Sequence, residues 1–190
     1  MAFSMLEIDA REIDALAKLF KLAKERAPAA IGRAIKRTGD MTKTRMVRSL
    51  TKQTGLRREV IARALKAKPA GVTYAIKSRG GNVHLKYFKA RETRKGASAA
   101  PWNRRRVYAG TFIKGGRFPN RVALNLGGQV YRRSGAGRLP ITSQRSGLYI
   151  PKEMITGATG AEFLSAVRSI LPQRLQHEIA AILGGHVGGG

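Results

Sequence analysis

The sequence predicts an α+β fold: a long N-terminal helical arm, an antiparallel β-sheet with long basic loops, and a C-terminal amphipathic helix. Apolar residues recur at helical spacing as far as Lys66, alternate with polar ones beyond Pro69 and Gly71, and return to helical spacing after Thr159. Paired glycines, Gly80-Gly81, Gly115-Gly116 and Gly127-Gly128, punctuate the alternating stretch. Charge divides the chain in much the same way: residues 1–59 carry a net +7, residues 60–152 a net +20 and residues 153–190 a net −1. One structural domain in three parts is expected: a helical arm over 1–68, a basic antiparallel β region over 69–158, and a C-terminal helix with a Gly-rich tail over 159–190.

Asp9 followed by Glu12 has the form of an N-cap with an acidic residue at N3, and is expected to open a first helix. Its apolar stripe is Ile13, Leu16, Phe20, Ala23 and Ala27. Pro28 lacks an amide hydrogen and clashes with the preceding turn, so it kinks this helix or starts a second one at its first position. Ile31, Ala34, Ile35, Thr38, Thr42, Met46 and Leu50 carry a stripe onward, with Gly39 inside it at a cost of about 1 kcal/mol. Thr54-Gly55 is a stop, and Leu56 to Lys66 reads as a short third helix with Val60, Ile61, Ala64 and Leu65 inward.

Beyond Pro69 the period becomes two. Val72, Tyr74 and Ile76 predict one strand and Val83, Leu85 and Tyr87 another, with Gly80-Gly81 as the hairpin turn between them. Lys89 to Arg106 has no period and is expected to be a long exposed loop. Val107 to Ile113, Val122 to Leu126 and Gln129 to Arg132 are further strand candidates. Ser134 to Gly147 is a second loop, and Leu148 to Ile150 a last extended piece before Pro151. Thr159 followed by Glu162 has the capping-box pattern. Phe163, Val167, Ile170, Leu171, Leu175, Ile179 and Leu183 form the final stripe, with a kink expected at Pro172 and an end at Gly184-Gly185.

The chain of 190 residues carries 37 Lys+Arg against 11 Asp+Glu, a net charge of +26 with a pI near 11.6, and no cysteine. That charge is more than solubility requires and marks a polyanionic neighbour, most simply nucleic acid. Without cysteine there is no disulfide framework and no thiolate metal site. The longest uncharged run, Ile179 to Gly190, falls short of the roughly 18–20 apolar residues of a membrane span, and Glu7 and Asp9 interrupt any signal-peptide core. A soluble, uncleaved protein made inside the cell and free of membranes is expected.

Catalytic chemistry has little to work with. His84, His177 and His186 stand at no metal-ligand spacing, no glycine run is followed by Gly-Lys-Ser/Thr, and Gly-x-Ser-x-Gly is absent. Glu92 is the single acid in residues 60–152, so a paired-carboxylate site has no material there. The expectation is a non-enzyme with no catalytic residues, no cofactor and no metal.

Two basic constellations remain. From Met46 to Leu65, a helix, the Gly55 turn and a second helix resemble a helix-turn-helix, with Arg57, Arg58 and Arg63 toward double-stranded DNA. The second constellation is the strand region, where Arg104, Arg105, Arg106, Arg132, Arg133 and Arg138 form the expected polyanion-facing surface, together with Arg117, Arg121 and Arg145. Guanidinium groups suit phosphate oxygens, and aromatics are too sparse for base stacking, so contact with DNA is expected at the backbone and without sequence specificity. Some of these arginines are equally suited to acidic faces of neighbouring subunits.

Five segments, taken in order, resemble the minor tail protein Z family, the tail completion proteins of long-tailed bacteriophages. They are Ala29 to Thr38, the corner Thr54-Gly55-Leu56, Gly110-Thr111-Phe112-Ile113, Val130-Tyr131-Arg132-Arg133, and Arg138-Leu139-Pro140-Ile141 with Ile150-Pro151 ahead of the last helix. The resemblance spans about residues 5–183. It implies a structural virion protein at the head-proximal end of the tail, which enables head–tail joining and holds the DNA end in the channel. It also implies a homo-oligomeric ring, a hexamer by the usual tail symmetry, that meets the tail terminator or tail tube and the head–tail connector. Copies related by rotation make the heterologous contacts that close into such a ring.

Overall fold

The computed structural model describes residues 2–9 and 26–183. Its elements mix helices with short antiparallel sheets, the α+β class the periodicity predicts. The chain begins with strand β1 (Ala2–Asp9), where the sequence suggests only the approach to a helix. The expected stripe from Ile13 to Ala23 lies outside the described residues. Helix α1 (Ala27–Thr54) starts with Pro28 in its first turn, where the missing amide costs no hydrogen bond. It ends at Gly55, whose φ of 75° is left-handed and whose N–H donates to Thr51 O.

Helix α2 (Arg58–Ala64) is shorter than expected, because Leu65 already belongs to strand β2 (Leu65–Ala70). β2 turns at Gly71 into β3 (Thr73–Gly80), so the hairpin closes at Gly71 rather than at Gly80-Gly81. β3 is the centre of an antiparallel sheet β1-β3-β2, with Ile8 and Pro69 flanking Tyr74, and Leu6 and Ala67 flanking Ile76. The expected arm and the expected β region therefore share one sheet. The stretch expected as a second hairpin strand forms a 3-10 turn, Leu85–Phe88, which buries Leu85 and Phe88 three positions apart and leaves Tyr87 outside.

The predicted loop 89–106 contains β4 (Arg91–Thr93) and β5 (Gly96–Ala99), which pair with each other and, through β5, with β6 (Arg106–Ala109). All four residues of β5 are buried. They are Gly, Ala, Ser and Ala, so burial here leaves no large-residue alternation to read. Then follow β7 (Thr111–Phe112), β8 (Lys114–Gly115), β9 (Val122–Ala123) and β10 (Tyr131–Arg133), with β11 (Ile141–Ser143) inside the second predicted loop. They make a sheet β11-β10-β7 and a two-stranded ribbon β8-β9. Ile150, expected to end a strand, instead opens helix α3 (Ile150–Ile155), with Pro151 in its first turn. Helix α4 (Gly157–Leu183) runs through Pro172 without interruption, and its expected stop at Gly184-Gly185 lies outside the described residues. No helix among the described residues is long and apolar enough to cross a membrane.

α1 lies between the sheet and α4. Against α4 it runs antiparallel, as Arg33 to Glu178 (2.7 Å), Arg45 to Glu162 (3.9 Å) and Ser49 to Thr159 (3.1 Å) show. Glu178 is 5% exposed and also lies 3.8 Å from Arg37, so its charge is paired as it leaves water. Thr159 is not the N-cap its capping-box pattern suggests: it sits inside the first turn of α4. Gln53 of α1 caps it from outside, accepting the Thr159 N–H at 3.1 Å and the hydroxyl at 2.9 Å. The Gln53 amide nitrogen donates to the backbone carbonyl and carboxylate of Glu153, whose other oxygen accepts the Trp102 indole N–H at 3.0 Å. Asn103, like Trp102 at positive φ, donates its amide to the Lys52 carbonyl at the end of α1 (2.6 Å).

On the sheet side, the fully buried Tyr74 ring lies against Gly39, where any Cβ would collide with the ring, and its hydroxyl donates to Asp40 at 2.6 Å. Burial, then the hydrogen bond to Asp40 and its charge, hold the Tyr74 phenol above the ordinary value of 10.0. Gly39→Ala is expected to destabilise the protein by about 1–3 kcal/mol or more, measured by denaturant unfolding, since the helix must move away from the ring. A raised folded pKa means that the neutral phenol contributes stability below pH 10 and that this contribution is lost as the pH climbs above it. The stability gap between the native chain and Tyr74→Phe should therefore hold steady below pH 10 and narrow above it. A gap independent of pH would show that Tyr74 ionises freely in the fold.

Candidate nucleic-acid interface

The six arginines singled out by the sequence divide among four settings. The Pro101–Asn103 turn feeds β6, and Arg104 and Arg106 line one side of an open pocket of about 590 Å3 with Gln53, Pro101 and Trp102. Arg106 is steadied within its own strand: Nε donates to the Tyr108 hydroxyl at 2.7 Å, and the guanidinium stacks 4.8 Å from the ring centroid. Arg105 between them is used structurally. It donates to the Ser98 carbonyl and hydroxyl at 3.3 and 3.2 Å and to the Lys89 carbonyl at 3.3 Å, stitching β5 to the end of the 3-10 turn.

β10 sends its two arginines to opposite faces, as a strand must. Arg133 pairs in register with Ile141 and lies 5.7 Å over the Phe112 ring, which in turn sits 6.2 Å from Tyr131. Arg132 lies opposite Thr111 and Thr142 on the other face. Arg138, in the β10–β11 loop, joins Arg133 along a larger open groove of about 940 Å3. The structure thus brings together Arg104 with Arg106 and Arg133 with Arg138, while Arg105 is engaged internally and Arg132 faces away from Arg133.

Arg121, expected with the polyanion-facing arginines, is instead held in an ion pair with Glu92. The other Glu92 oxygen accepts the backbone N–H groups of Ile113 and Lys114 at 2.5 and 2.6 Å. This carboxylate is a clip that joins β4, the start of β8 and the residue just before β9. Sequence reasoning treated Glu92 as evidence against a catalytic pair and missed this use. Its isolation among so many bases was the available signal. Arg145 is likewise held, donating to the Asn82 carbonyl at 2.9 Å.

No family model, curated protein or solved structure matches the chain.

The surface is cationic, and its histidine does not alter that. His84 precedes the 3-10 turn rather than lying in a strand, with Nδ1 3.0 Å from the Ser143 hydroxyl. Burial first, then the charges of Arg145 and Lys86, push its pKa below 6.5. His177 is exposed on α4, and His186 lies outside the described residues. Among the described residues no three His, Asp or Glu side chains cluster as metal ligands. The arrangement can neutralise phosphates or carboxylates through exposed arginines, with backbone and tyrosine contacts fixing several of them.

Removing the clip with Glu92→Ala is expected to cost about 2–3 kcal/mol locally, since a half-buried arginine and two amides are deprived of a charged partner together. Hydrogen exchange at Ile113 and Lys114 should accelerate while the amides in the middle of α1 stay protected. Equal acceleration in both places would mean that Glu92 supports the whole fold instead.

Proposed function

We propose that this chain is a structural virion protein of a long-tailed bacteriophage, a tail completion or neck protein at the head-proximal end of the tail. It enables head–tail joining and passes or positions the end of the double-stranded DNA, without catalysis, metal or cofactor. One observation carries most of this reading. Three of the sequence segments that resemble the minor tail protein Z family, Gly110 to Ile113, Val130 to Arg133 and Arg138 to Ile141, contribute β7, β10 and β11 of a single small sheet. Segments separated along the chain thus act as one surface, and Arg132, Arg133 and Arg138 are exposed on and beside it.

A ring around DNA needs a cationic lining and contacts that repeat from copy to copy, with no active site. A closed homo-oligomer, a hexamer by the resemblance, meets that need, and the tail terminator or tail tube and the head–tail connector are its neighbours. The helix-turn-helix reading has less material. α2 has 7 residues and passes straight into β2, so the corner lacks the separate three-helix unit that presents a recognition helix.

Antibody-gold labelling of purified particles should place the protein at the head–tail junction, and its absence from intact particles would overturn the proposal. In solution, replacing Arg104, Arg106 and Arg132 by alanine should weaken binding to a DNA duplex. The variant should also flatten the salt dependence, by about 0.9 in slope for each phosphate it no longer neutralises. An unchanged slope would assign these arginines to protein contacts.

A further inference from the structure

The groove that holds Arg133 and Arg138 combines a cationic surface with an aliphatic one. Its cations are Arg94, Lys95, Lys114, Arg121, Arg133 and Arg138. Among them Leu139 and Val122 line the groove while 72% and 70% exposed, and Leu124 and Leu126 line it beside them, also open to solvent. Clustered exposed aliphatics mark a contact surface. Phosphate recognition has no use for them, because a sugar–phosphate backbone gives leucine and valine no apolar partner. Base stacking does not explain them either: Phe112 is the one aromatic ring on the groove among the described residues, and the Arg133 guanidinium lies over it.

Five of the chain's eleven acids precede Asp40; from Asp40 onward, a second copy of this chain offers little unengaged carboxylate among the described residues. That stretch holds six acids, and five are engaged within the molecule: Asp40 by Tyr74, Glu92 by Arg121, Glu153 by Trp102 and Gln53, Glu162 by Arg45, and Glu178 by Arg33. Of the six, Glu59 alone has no partner among the described residues, against a groove lined by six cations of which Arg121 is already paired with Glu92.

We propose that this groove binds an acidic, aliphatic-rich segment of a different polypeptide. Carboxylates of the segment meet the arginine rim, and its aliphatic side chains cover Val122, Leu124 and Leu139. Arg133 and Arg138 then belong to a protein interface, while Arg104, Arg106 and Arg132 remain for nucleic acid. The inference rests on the groove alone, so it and the virion reading stand or fall separately.

Fluorescence anisotropy on the full chain tests it with three labelled probes: a peptide of alternating glutamate and leucine, an equally long peptide of alternating glutamate and serine, and a short DNA duplex. The leucine peptide should bind at least about tenfold tighter than the serine peptide, the equivalent of burying one or two aliphatic side chains. Val122→Ser combined with Leu139→Ser should remove that advantage and leave duplex affinity unchanged. Both side chains are mostly exposed, so this variant keeps its core. Arg133→Ala combined with Arg138→Ala should weaken both peptides. Equal binding of the two peptides, or no binding of either, overturns the proposal. Loss of duplex affinity in the serine variant would also overturn it, and would make the groove a nucleic-acid site.

Discussion

Tyr74 reaches Asp40 only because residue 39 has no side chain, and that close approach sets the spacing between the β1-β3-β2 sheet and α1. The ring occupies the place a Cβ would take, so the central strand packs directly on helix backbone. Other contacts follow from that spacing. Ile76 and Ser78 face the same way as Tyr74 by strand alternation and are buried with it. α1, pressed from the sheet side, presents its opposite side to α4, where Leu171, Leu175 and Ile179 complete the core. The helix propensity given up at Gly39 is offset by the burial of a whole tyrosine.

The basic half is held together differently. Its strands are two to four residues long, and each small sheet has little apolar surface of its own. Polar ties do much of the joining: Glu92 to three donors, Arg105 to β5 and the 3-10 turn, and the Thr111 hydroxyl to Tyr108 and Ala97. Leu85, Phe88, Ala97, Ala99, Val130 and Leu148 root this half in the common core. Most of its arginines can therefore stay in solvent, since the scaffold needs only a few of them.

Legibility in the sequence followed the range of the interaction. Pro28 and Gly55 act on their own backbone neighbours, and they marked the ends of α1 correctly. The stripe through Ala34, Thr38, Thr42 and Met46 also predicted which side of that helix is buried. Features that depend on distant partners could not be read. Thr159 carries a local capping pattern, yet Gln53, 106 positions away, makes the cap. β5 is buried through Gly, Ala and Ser, residue types that give no period. At the candidate site, the exposure of Arg104 and Arg132 could be anticipated from charge and composition. The internal use of Arg105 and Arg121 could not, because it depends on carbonyls and a carboxylate brought near by folding.

The seam between the two halves holds the chain's single tryptophan. Trp102 touches α3 through Glu153, its neighbour Asn103 holds the end of α1, and Gln53 carries the same network to α4. Intrinsic tryptophan emission from this protein is thus a local signal that watches one joint. A shift in its spectrum reports the basic half parting from the helices, and can precede any change in helical circular dichroism. Two optical probes that disagree during unfolding would, in this molecule, be describing the order in which its parts separate.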